Sequence, residues 1–304
     1  MSELAVEPTG PTGPTGPIGP FDRGEPASPG EVAGRVSVVV PVRNTARTLE
    51  TCLRSIRRQS WPDVELVVID NFSDDGSWEI AQRWAHHAEQ AGPERSAQRN
   101  LGTERATGEW VLWIDADMEL PATIVERAVR AAIDDEADGV FVPEVTVGEG
   151  YWTACRSLER SCAVEEIMVQ SPRLLRRSYL LETGGFLESL SGTEDAELRS
   201  RMMADGCRLT WIPDLIVHDE GNMSFRFIVE KRYYYGRGLK QYRLRHPGAL
   251  SAQAGSAVAA YRQNWRKLAA RPGLAAGTVL LRGAEFVAYG VGAAVGALER
   301  SPGS

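Results

Sequence analysis

The chain has almost no lysine: Lys231, Lys240 and Lys267 are the only three, so 31 of its 34 basic residues are arginine. We read that bias as genomic base composition rather than function. Cysteine is also sparse. Cys52, Cys155, Cys162 and Cys207 are scattered and form no C-x-x-C pair, which excludes a zinc knuckle or a disulfide framework and points to a reducing cytoplasm. No basic start followed by an apolar stretch marks a secretory signal, and no run reaches the roughly 20 apolar residues of a spanning helix. Neither G-x-G-x-x-G nor G-x-x-x-x-G-K-[ST] follows a predicted strand, which argues against the usual dinucleotide and P-loop sites. Basic charge is in deficit too, with a net of -7, so nucleic acid is not expected as a partner.

What is present suits a soluble globular protein with a substantial core: 304 residues, 43% hydrophobic and 25% charged. Residues 1–34 are rich in Pro, Gly and Thr, with Gly10, Gly13, Gly16 and Gly19 at a period of three. A few triplets cannot hold a triple helix, so a disordered tail is expected. From Arg35 the pattern changes. Val36–Val40 is a β-branched run, and Leu49, Cys52, Leu53 and Ile56 then follow at amphipathic-helix spacing. Glu65–Ile69 predicts a second strand ending at Asp70-Asn71, and the spacing of Ile80, Trp84 and Ala88 predicts a helix. Trp110–Ile114 predicts a third strand, which ends in Asp115 and Asp117. Strands alternating with helices imply an α/β fold with a mainly parallel sheet covered on both faces.

Three strands thus end in polar loops, Arg43-Asn44, Asp70-Asn71 and Asp115-Ala-Asp117, and in a parallel sheet these share one edge and one crevice. Two carboxylates one residue apart at a strand tip suit a divalent cation. A nucleotide could be held there, with Asp70 accepting from a base, Arg99 neutralising phosphate, Asp115 meeting ribose hydroxyls and Asp117 bonding the metal. Mg²⁺ or Mn²⁺ on the diphosphate would then act as a Lewis acid for a departing nucleoside diphosphate. Phosphatases of the haloacid dehalogenase class also carry such an acidic pair. There it lies early in the chain and continues with Thr or Val, whereas Met118 follows here.

The chain resembles glycosyltransferase family 2, of the GT-A fold. The motifs are V-V-V-P-V-R-N (Val38 to Asn44), E-L-V-V-I-D-N-F-S-D-D-G-S (Glu65 to Ser77), A-Q-R-N-L-G (Ala97 to Gly102) and A-T-G-E-W-V-L-W-I-D-A-D (Ala106 to Asp117). G-G-F-L-E (Gly184 to Glu188) and T-E-D-A-E-L (Thr193 to Leu198) complete the series. Each is modest alone, but their order makes the joint signal strong. The resemblance implies a GT-A-like, Rossmann-like sheet and an inverting transfer from a nucleoside-diphosphate sugar to an acceptor hydroxyl. It implies that Pro41, Val42, Arg43, Asn44, Asp70, Arg99 and Asp115 contact the donor, that Asp117 and His218 bind Mn²⁺ or Mg²⁺, and that Asp195 is the base. The chain departs from many relatives at Asp70-Asn71-Phe72, where they carry an acidic pair and Gly. A catalytically silent nucleotide- or sugar-binding scaffold of the same fold is the alternative.

The expected organisation is a tail over 1–34, a GT-A domain over 35–222 (35–142 for the donor and 143–222 for the acceptor side), and a mostly helical region over 223–304. Lys231 to His246 is basic and aromatic. Gly273 to Leu298 is apolar but interrupted by Arg282 and Glu285. These suggest a cytoplasmic protein with peripheral contact to the inner face of a membrane. The sequence leaves the sugar, the base, the acceptor and the oligomeric state open.

Overall fold

The computed structural model describes residues 34–164, 166, 170–190 and 192–299; the Pro/Gly-rich tail lies outside them apart from Gly34. The first half alternates strand and helix: β1 (Val36–Val42), α1 (Ala46–Arg57), β2 (Val64–Asp70), α2 (Ser77–Trp84), β3 (His87–Gln90), α3 (Arg95–Arg105) and β4 (Trp110–Trp113). Then come β5 (Met118–Glu119), α4 (Ile124–Asp134), β6 (Gly139–Phe141), β7 (Glu144–Glu149), α5 (Tyr151–Cys162), β8 (Pro172–Arg176), α6 (Arg177–Thr183) and α7 (Glu194–Ala204). Strands β9 (Leu209–Trp211) and β10 (Ile216–Asn222) precede an all-helical end: α8 (Phe225–Gly236), α9 (Leu239–Arg245), α10 (Ala249–Gln263), α11 (Trp265–Ala269) and α12 (Pro272–Glu299).

A seven-stranded sheet runs in the order β3-β2-β1-β4-β8-β6-β9, and β8 alone is antiparallel to both of its neighbours. Its strands are apolar on both faces, as a doubly covered sheet requires. Val36, Val38 and Val40 of β1, with Leu66, Val68, Trp110 and Leu112, pack against α1 and α4. Val39, Val67, Ile69, Val111 and Trp113 face Tyr179, Phe186, Leu198 and Met202. A second, three-stranded sheet, β5-β10-β7, stands beyond the end of β4 and receives the chain after Asp117.

One expected helix is too long. Ala88, which shares helical spacing with Ile80 and Trp84, lies in β3, because Ala85 is extended (φ -72, ψ 151) and His87–Gln90 pairs with β2. At the other end of the chain, α12 from Pro272 to Leu298 is long and apolar enough to cross a membrane, despite the two charges that interrupt it in the sequence.

Candidate active site

The A-Q-R-N-L-G motif is legible as carpentry. It lies on α3, and three consecutive side chains tie that helix to three different neighbours. Gln98 Nε2 donates to the carbonyls of Val42 (3.0 Å) and Ile69 (2.6 Å), pinning the ends of β1 and β2. Asn100 donates to the Phe186 carbonyl (2.9 Å) and accepts from its N–H (2.8 Å). Gly102 lets the helix lie against the sheet, since a Cβ there would come within 2.3 Å of a Val39 methyl.

Arg99, between them, is 1% exposed. Its Nη2 donates to Asp115 and its Nη1 to Asp195, each at 2.8 Å, and its guanidinium lies 4.0 Å from the Trp113 ring. One buried cation thus joins a carboxylate at the tip of β4 to one in the first turn of α7, 80 residues further on in sequence. The pair is not symmetric. Burial would raise the Asp115 carboxyl, but Arg99, then Arg95 and Arg173, hold it well below the ordinary range. Burial raises the Asp195 carboxyl despite Arg99, and the neighbouring Glu194 adds to the rise. Two carboxylates whose affinities for a proton are pushed apart are suited to different tasks.

Asp117 and His218 form a second focus. The β10 strand pairs antiparallel with β5 and sets His218 opposite Met118, and the Asp219 N–H donates to the Asp117 carbonyl at 2.8 Å. His218 Nε2 lies 3.2 Å from Asp117 Oδ1, a buried oxygen with no other partner among the described residues. On the other side of the ring, Nδ1 is 3.2 Å from Glu144, whose carboxylate also pairs with Arg160 and Arg173. Burial alone would lower the imidazole pKa, yet Asp117 and Glu144 bring it up to about 10. A carboxylate oxygen facing an imidazole nitrogen, with a second carboxylate behind the ring, is the donor set of a metal-binding histidine and its supporting partner. The residues fit a cation. Among the described residues no group of three His, Cys, Asp or Glu side chains is set to hold one alone, so further ligands would come from substrate oxygens or water.

The remaining predicted residues line the same edge. Asp70 is fully buried and accepts from the Ser73 N–H (3.0 Å), the Ser73 hydroxyl (2.5 Å) and Gln90 Nε2 (2.8 Å), so it shapes its loop rather than facing outward. Pro41 and Val42 are buried in β1 and offer a ligand only backbone, whereas Arg43 and Asn44 are exposed. Asn44 has φ 51 and its carbonyl side-chain oxygen accepts from the Asp74 N–H at 3.0 Å. Asp75 accepts from the N–H groups of both Ala46 and Ser77, joining the starts of α1 and α2. Beside it Phe72 is two-thirds exposed with φ 49, a strained backbone for a bulky residue, of the kind that gathers at binding sites. Sequence reasoning did not single out Arg95, Glu144, Glu194 or Trp113. Their roles arise from contacts across tens of residues, and only the buried acid of the Thr193-Glu194-Asp195 motif carried a local signal.

A doubly covered, mainly parallel sheet thus carries an acidic cluster at the carboxyl ends of its strands, the edge at which open α/β sheets place their ligands. The family model described as Glycosyl transferase family 2 matches residues 37–181, a little under half of the chain, and marks that segment as a glycosyltransferase family 2 domain. The uncharacterized glycosyltransferase YibD of Escherichia coli K12 is 34% identical over 110 residues, covering 34% of this chain and 32% of that protein. Glycosyltransferase AglE of Haloferax volcanii is 26% identical over 222 residues, covering 67% and 72%. The match spans about a third or less of the first curated relatives. Among solved structures, the mannosyltransferase PcManGT of Pyrobaculum calidifontis, in complex with GDP-Man and Mn²⁺, superposes with a TM-score of 0.58 at 22% identity, covering 91% of this chain and 92% of that one. That likeness supports the GT-A glycosyltransferase fold.

Proposed function

We propose that the protein transfers a sugar from a nucleoside-diphosphate sugar to an acceptor hydroxyl, with inversion and with the help of Mn²⁺ or Mg²⁺. The observation that carries this reading is the Arg99 clamp, which holds Asp115 and Asp195 together while their proton affinities diverge. The family and the donor and ion bound by PcManGT agree with it.

Asp195, with its raised pKa, is the general base. Its carboxylate takes the proton of the acceptor hydroxyl as that oxygen attacks the anomeric carbon, and the bond from that carbon to the diphosphate oxygen breaks on the opposite face. Asp115, kept ionised by Arg99, accepts hydrogen bonds from donor hydroxyls. Arg99 is a positioning residue, because its buried guanidinium is already committed to the two carboxylates. Asp117 and His218 would hold the cation, which when bound supplies Lewis-acid stabilisation of the leaving diphosphate. Arg43 and Asn44 at the rim meet the nucleotide, and the exposed Phe72 offers its ring to the base.

The test is turnover of candidate donors by wild type, Asp195→Asn and Asp117→Asn. The reading predicts that Asp195→Asn binds donor normally but loses at least ~10²-fold in kcat, the range for removing a general base. Normal metal-dependent turnover by Asp117→Asn would overturn it.

A further inference from the structure

The helix α12 is built inside out. Its buried stripe, Thr278, Leu281, Glu285, Ala288, Gly292 and Gly296, includes a hydroxyl, a carboxylate and two closely packed glycines. Cβ atoms at Gly292 and Gly296 would meet the carbonyls of Tyr233 and Arg237 at 2.1 and 2.4 Å, so α12 lies almost backbone to backbone on α8 and the start of α9. Its two mid-helix charges are spent on the protein. Glu285 accepts from Arg156, Arg232 and Arg282, while Arg282 and Arg156 pair with Glu159 of α5. Burial would raise the Glu159 carboxyl, but Arg282 and Arg156 hold it at about 2.

The outward stripe is the reverse. Val279, Leu280, Phe286, Val287, Val291 and Leu298 recur at helical spacing, carry no charge, and reach 81% exposure at Phe286. Only 28% of the most apolar window is buried, which is far from a core helix. Val229 of α8 joins this face. Contiguous apolar surface of this kind marks an interaction site.

Its surroundings indicate the partner. Residues 223–304 hold thirteen Lys and Arg against three Asp and Glu, in a chain whose net charge is -7. Lys240, Arg243 and Arg245 on α9, which packs against α12, are exposed, and so are Arg266, Lys267 and Arg271 immediately before it. Trp265, at the same end, is more than half exposed with Arg266 beside its ring. An apolar helix face flanked by cations and an interfacial tryptophan matches an anionic bilayer surface. The mid-helix ion pairs, directed into the protein, oppose a spanning arrangement for α12.

We propose that this face docks on an anionic lipid bilayer, with α12 lying in the interface plane. The surface adjoins the proposed site through α8. Tyr235 packs against Gly192, three residues before Asp195, while the next residue, Gly236, abuts α12. The inference rests on the C-terminal helices and not on the transfer reading, since vesicle binding is read without turnover.

The experiment is co-sedimentation of the full chain with vesicles of phosphatidylcholine, alone or mixed with phosphatidylglycerol. Binding to the anionic vesicles that weakens with salt is expected. Phe286→Glu together with Val287→Glu should lower it at least ~tenfold with an unchanged melting temperature, because both side chains face outward. Lys240→Glu with Arg243→Glu should lower it as well. Failure to pellet with anionic vesicles, equal binding to neutral ones, or indifference to the Phe286 variant would each overturn the proposal. So would a dimer in sedimentation velocity that the Phe286 variant splits without any vesicle binding, which would assign the face to a second copy.

Discussion

At the scale of single residues, Arg99 is the hub of the site. Lysine at this position keeps the charge but cannot fork to Asp115 and Asp195 together. Arg99→Lys should therefore cost ~10²-fold in kcat/KM, the usual penalty for misplacing catalytic groups by about an ångström, while the fold persists. With Asp195 as the proposed base, its raised carboxyl should set the acid limb of the pH profile. A base works only when deprotonated, so activity falls as pH drops through its pKa, and that limb should lie above the ordinary 3.8. Glu194 contributes to the rise, so Glu194→Gln should move the limb to lower pH; a limb that stays in place would contradict this account of the Asp195 environment. The two acids bear oppositely on stability. Asp115, depressed in the fold, stabilises above the ordinary value and loses that contribution as pH falls, whereas the contribution of Asp195 is lost as pH rises. Phe72→Ala should weaken nucleotide binding, measured by calorimetry, without changing the metal requirement.

At the scale of elements, α3 and β10 set the geometry. Gly102→Ala would force the helix off β1 and should cost ~1–3 kcal/mol, the range for overpacking, read as a lower denaturant midpoint. On β7, which pairs with β10, Glu144→Gln should raise the half-saturating Mn²⁺ concentration by about 10–100-fold, as loss of a partner behind a metal-binding histidine does. A proton competes for His218, so metal affinity should climb with pH through the neutral range. Much of this level was legible in the sequence. The apolar runs of β1, β2 and β4 and their polar ends were readable from the order of residues alone. The edge strand β3 was not, because His87–Gln90 carries no apolar alternation and is a strand only through its pairing with β2. Nor was the shell around His218: Glu144, Arg160 and Arg173 come from three different elements and converge only once the small sheet has formed.

At the scale of the whole molecule, charge is divided between an acidic α/β part, which carries the candidate site, and a basic helical end. The motifs identified the family because they mark the places where one helix, three strand ends and two acidic loops must meet. They were silent on α12, whose apolar composition fits a core, a span or a surface helix equally. Only the burial of Glu285 and Gly292, set against the exposure of Phe286, distinguishes these. The central claim is that a metal held by Asp117 and His218 brings a nucleoside-diphosphate sugar to Asp195. Its most direct test is the melting temperature of the purified protein with UDP, GDP, TDP or CDP, each with and without Mn²⁺, since a ligand at 100 times its Kd stabilises the native state by about 2.7 kcal/mol. The account predicts a metal-dependent rise with one nucleotide that Asp117→Asn abolishes and Asp195→Asn keeps; a rise indifferent to metal, or one that survives Asp117→Asn, would contradict it.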